Sequence, residues 1–90
     1  MSDEYEKVKK TVVEVFSTYH SCRGLTTNIL RLRAGAYIVS VLENNKAILD
    51  DGVCLDSMPE DVWQDYVRCR AHELVGRYIK QKWFMVPKTI

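Results

Sequence analysis

At 90 residues, 47% hydrophobic and 28% charged, the chain has the size and balance of one globular domain with a single modest core. No apolar stretch approaches the roughly 20 residues of a membrane span, and the start Met1-Ser2-Asp3-Glu4 lacks the basic-then-apolar order of a secretory signal. Three cysteines at scattered spacings make no disulfide framework, so the expected location is intracellular, cytoplasmic or nuclear, with thiols reduced.

The first predicted element is an amphipathic helix. Asp3 and Glu6 stand at capping-box spacing, and Ser2 or Asp3 can accept from the first-turn amides. Tyr5, Val8, Val12, Val15, Phe16 and Tyr19 recur at steps of three and four, forming one apolar stripe. Asp3–Lys7 and Glu6–Lys10 are i,i+4 pairs on the wet side, and Gly24 is the predicted stop.

The middle of the chain supports two readings. Thr26 or Thr27 can cap a second helix through Ile29, Leu30, Leu32, Ala36, Tyr37, Val39 and Leu42 to Asn44-Asn45. The competing pattern is a strand at 37–42, rich in β-branched residues, turning at 43–46 into a second strand at 47–49. The threonine cap and the length favour the helix. Asp50-Asp51-Gly52 carries a turn signal in either case, within a short connector over 46–55.

The last element is a helix from about Met58 to Met85, with Ser57 as cap, Glu60 at the third position and Pro87 beyond its end. Trp63, Val67, Ala71, Leu74, Val75, Tyr78 and Ile79 make its apolar face. Such a helix is roughly 40 Å long at 1.5 Å per residue, against a diameter near 30 Å for a compact domain of this length. Either it kinks near Lys82 and folds its end inward, or the end projects and Trp83, Phe84, Met85 and Val86 meet water.

The fold expected from these elements is all-α, a bundle of three to four helices in one domain over 1–90. The alternative is an α+β domain with a hairpin at about 37–49, winged-helix-like.

Charge is unevenly placed: residues 1–42 carry +2, 43–67 carry −6 and 68–90 carry +5. The bland explanation is helix-end tuning; the more specific one is attraction between the acidic middle and the basic tail, within one chain or between two.

Little in the sequence points to chemistry. His20-x-Cys22 and Cys69-x-x-His72 are two metal-capable pairs, but their spacing is not that of a zinc module, and no cofactor is expected. Cys69 and His72 are helical neighbours with no glycine-rich loop beside them, and no histidine is tied to Cys54, which argues against a nucleophile. Four dispersed glycines build neither a phosphate loop nor a dinucleotide fingerprint, so no enzyme is expected.

The expected function is therefore a small protein-interaction or assembly module, an adaptor that forms a homodimer or binds an acidic protein surface. Tyr78, Trp83, Phe84 and Met85 would be its apolar anchors, with Arg77, Lys80 and Lys82 as a basic rim. The alternative is a nucleic-acid-binding domain using the basic last helix; the pI of about 7.7 tells against it. A membrane-surface role is not expected, because the last helix needs its apolar face for the core.

Overall fold

The structure is a computed structural model describing residues 3–85, with side chains through Lys82. The chain is α+β, not an all-α bundle. Helix α1 (Asp3–Ser17) is followed by a 3₁₀ turn (His20–Cys22), strands β1 (Leu25–Arg33), β2 (Ala36–Glu43) and β3 (Lys46–Cys54), and helix α2 (Glu60–Met85). The strands form an antiparallel sheet in the order β1-β2-β3. Both helices pack on one face of it.

The second helix expected at 26–45 is overturned. Its amino-terminal part is β1, and the hairpin alternative is realised and extended by that strand. Two turns decide the matter. Asn44 and Asn45 both take positive φ, 55° and 64°, which is the two-residue turn that matches strand twist. Gly35 sits at φ 81°, and a Cβ there would lie 2.7 Å from Asp56 Oδ1, so glycine is required at the β1–β2 turn. Asp50-Asp51-Gly52, expected as a turn, lies inside β3, paired opposite Ser40, Val39 and Ile38.

Alternation then sorts the sheet into two faces. Ile29 of β1, Tyr37, Val39 and Val41 of β2 and Val53 of β3 are buried beneath the helices. From α1 come Val8, Val12, Val15 and Phe16, and from α2 Trp63, Val67, Ala71, Leu74, Val75 and Tyr78. These are the helical stripes read from the sequence. They need a third apolar surface, and the inner face of the sheet provides it.

Helix boundaries depart in detail. α1 stops at Ser17 rather than near Gly24, where Ser17 and Thr18 hydroxyls bond back to the carbonyls of Glu14 and Val15. Asp3–Lys7 closes at 3.7 Å; Glu6–Lys10 is not among the ion pairs of the described residues. Ser57 takes φ 65° and does not cap α2. The Pro59 carbonyl instead receives the Val62 and Trp63 amides, and Glu60 reaches across to Lys7 of α1.

Helix α2 runs to Met85, so of the two alternatives the kink near Lys82 is not taken within the described residues. Its length, about 39 Å at 1.5 Å per residue, draws the molecule out to 51 × 24 × 19 Å. The radius of gyration, 14.1 Å, exceeds the ~12 Å of a compact chain of this size.

Candidate interaction surfaces

The basic carboxy-terminal half meets the acidic middle within one chain. Arg70 forks onto Asp51, Nε to Oδ2 at 2.8 Å and an Nη to Oδ1 at 2.5 Å, and also reaches Glu73. Lys82 binds Glu43 at 3.0 Å, and Arg77 donates weakly to the Asp50 carbonyl at 3.4 Å. Arg68 pairs with Asp65. Arg68, Arg70 and Lys82 of the basic helix are thus engaged within the chain, on Asp65 of α2, Asp51 of β3 and Glu43 of β2. The α2 amino terminus carries Glu60 and Asp61, which already complement the helix dipole.

The expected carboxy-terminal site is only partly assembled. Tyr78 is a core residue, its ring buried and its hydroxyl donating to Glu43 Oε2 at 3.2 Å. Burial first, then the neighbouring Glu43 carboxylate, pushes its pKa up. Lys82 lies over the Tyr78 ring and shares Glu43 with it, while its side chain stays half exposed. The hydrogen bond to Glu43 holds the Lys82 pKa above its ordinary value. Arg77 and Lys80 are exposed. Trp83, Phe84 and Met85 continue the helix, and their side chains lie outside the described residues, as does Val86 altogether.

The metal-capable pairs do not converge. No group of three or more His, Cys, Asp or Glu side chains that could hold an ion occurs among the described residues. His72 Nδ1 is engaged by the Tyr19 hydroxyl at 2.7 Å, with the rings edge to face. Cys22 is buried, and burial raises its thiol pKa, which makes it a packing residue. Cys69 is exposed and belongs to no such group among the described residues.

Cys54 belongs to a polar knot at the β1–β2 turn. Its Sγ contacts Asp56 at 3.3 Å, while Arg33 forks onto the same carboxylate at 2.6 and 3.1 Å. These contacts, Arg33 foremost, lower the Asp56 pKa from 3.8 to about 2. Because the folded value is depressed, the contribution to stability is present above the ordinary value and lost as pH falls from 3.8 to about 2. Thermal melts through that acid window should show a decline in Tm that Asp56→Asn flattens. An unchanged slope in the variant would remove Asp56 from the acid response.

A hollow of about 410 Å³ lies between the end of α1 and the start of β1, lined by Val13, Phe16, Cys22 and Leu25 among others. It opens on the β1 edge, which Tyr5 of α1 reaches with a hydroxyl bond to the Ile29 carbonyl. Among the described residues, every buried side-chain nitrogen and oxygen has a partner, so no orphaned polar atom marks a ligand site.

The feature that sequence reading missed is the outer face of the sheet. Leu30 and Leu32 of β1 are 56% and 59% exposed. On the same face stand Ile38 and Leu42 of β2, half-buried although no helix among the described residues covers that side. Cross-strand rows run Leu30–Ile38–Gly52, Asn28–Ser40–Asp50 and Thr26–Leu42–Ala47. Asp50 is the one charge in these rows. A solvated sheet face ordinarily alternates to polar residues; this one carries Leu30, Ile38 and Leu42 in its rows, with exposed Leu32 at the bulge between Arg31 and Arg33. The period-two pattern Ile29/Leu30 through Leu32 was the available signal, masked because the same residues also satisfy helical spacing.

No helix among the described residues is long and apolar enough to cross a membrane. Comparison with known proteins yields no matching family model, no matching curated sequence and no matching solved structure.

Proposed function

We propose that this domain is a protein-interaction module that docks through the open face of its sheet. The observation that carries the reading is exposed Leu30 beside half-buried Ile38, with Leu42 two rows along and exposed Leu32 at the adjoining β1 bulge, on a face that no helix among the described residues shields. Water-facing leucines contribute nothing to the monomer's core. They gain about 25 cal/mol per Å² when another surface covers them. Apolar residues gathered on an uncovered sheet face are characteristic of docking sites, and here the polar row Asn28–Ser40–Asp50 lies between Leu30–Ile38 and Leu42. The fold supplies rigidity, since the same strands are clamped from below by both helices.

The end of α2 is a second surface of the same module, supported by the helix continuing beyond Lys82, the last residue seen to bind the sheet. Lys80 is exposed there, with no ion pair among the described residues. Nucleic-acid recognition draws less support, because α2 turns Arg70 and Lys82 inward onto Asp51 and Glu43.

A photo-crosslinking residue placed at position 30 or 32, in the protein's own host, tests the reading. Discrete protein adducts are expected at both positions, and background at Glu14 on the exposed side of α1. The same residue at position 80 reports on the helix end. Yields at 30 and 32 no higher than at 14 would overturn the sheet face as a docking site.

A further inference from the structure

We infer that the partner on the open face is a second copy of this chain, packed sheet against sheet about a two-fold axis parallel to β2. The inference rests on the docking face proposed above and names its occupant. Three properties of the face favour a copy of itself.

The first is shape. A two-fold along β2 keeps each cross-strand row opposite its own copy and exchanges β1 with β3. Leu30 then lies over the partner's Gly52, because the row reads Leu30–Ile38–Gly52. Gly52 puts no side chain on that face and leaves open space there: a Cβ built on it meets nothing within 4 Å. The large side chain of one copy fills the gap left by the smallest residue of the other, twice per dimer. Ile38 meets its equivalent at the axis. Sheets packed face to face interdigitate in this way at about 10 Å separation.

The second is charge. The same operation sets Asp50 opposite the partner's Asn28, an amide that can donate to it. The perpendicular two-fold through that row would set Asp50 on its equivalent and leave Gly52 over Ala47, combining like-charge repulsion with a void. One axis is therefore selected over the other.

The third is area. Three strands of eight to nine residues present a face of about 30 × 14 Å, so the dimer buries on the order of 800 to 1,000 Å² in total. That is below the standard size for a stable complex and fits a dimer that forms with a Kd on the order of 10 to 100 µM. A self-complementary isologous contact is also the commonest symmetric arrangement.

Sedimentation equilibrium of the full chain from about 1 µM to about 1 mM brackets that range. The mass should climb from 10.5 kDa towards twice that value. Leu30→Asp and Gly52→Val should each weaken association about tenfold or more, with Tm and far-UV circular dichroism retained. Gly52→Val keeps the test decisive should Leu30→Asp fail to fold, since the new side chain enters open space in its own monomer and collides only with the partner's Leu30. Val62→Asp, an exposed apolar site on α2, should associate like the parent chain. A constant 10.5 kDa mass, or variants at 30 and 52 that associate like the parent, would overturn self-docking. Crosslinks at position 30 to a different protein would then preserve the module and replace its partner; their absence would remove both.

Discussion

Trp63→Ala should cost about 3–5 kcal/mol of folding free energy, the largest single-residue effect expected in this domain. Trp63 is 5% exposed and belongs to the continuous core that joins α1, α2 and the sheet. A chain of this length has a total stability on the order of 5–13 kcal/mol, so the variant loses roughly a quarter of it or more. Tm should drop by more than about 12 °C, at 4–8 °C per kcal/mol for a domain of this size. Urea unfolding followed by circular dichroism gives the number, with the m-value retained if the native surface is unchanged. Val62→Ala is the control. That neighbour is 49% exposed, and its removal should fall within about 0.5 kcal/mol of the parent. Equal effects at 62 and 63 would mean that α2 is rotated relative to the sheet.

Arg70→Met should destabilise by about 2–3 kcal/mol, through what it leaves behind rather than what it removes. The Asp51 side chain is 10% exposed, directed from the inner face of β3 towards α2, and both its oxygens are bound by Arg70. Without the guanidinium, a carboxylate remains in a site that water reaches poorly. The value sits below that of a fully enclosed pair because the Arg70 side chain is one-third exposed. Coupling the change to Asp51→Leu should recover most of the loss, since paired removal leaves no uncompensated charge. A double-mutant cycle in urea measures this directly. A single variant within 0.5 kcal/mol of the parent would reduce the contact to an ordinary surface ion pair.

The Asp51–Arg70 pair also shows why the middle of the chain resisted reading. Two aspartates before a glycine have low strand propensity in isolation and signal a turn. Inside β3 their positions are opposite in kind. Asp51 finds a guanidinium from a helix nineteen residues later, and Asp50 faces solvent on the open side. Strand propensity measures fit to neighbouring surfaces, and here those surfaces come from distant parts of the chain. Leu25–Arg33 posed the same difficulty: its residues satisfy helical spacing and strand alternation at once, and only pairing with β2 decides between them.

The candidate site divides in the same way. The charge split was visible in the sequence, and its resolution within one chain was not, because Glu43, Asp50 and Asp51 become neighbours of α2 only once the sheet has formed. In the sequence Tyr78 belongs both to the apolar face of the last helix and to the anchors proposed at its end. Packed on a sheet, the same helix presents one more turn to the core, which takes Tyr78 with it.

By itself the sequence determined the two helices, the stripes that they bury and the length of α2, because these depend on residues three and four apart along one segment. The sheet, the inward use of the basic tail and the apolar outer face were decided only by tertiary structure. A strand has no internal hydrogen bonds to complete. Which side of it is covered is settled by the helices that arrive on it, and two helices suffice to cover one face of three strands, leaving the other to water or to a partner.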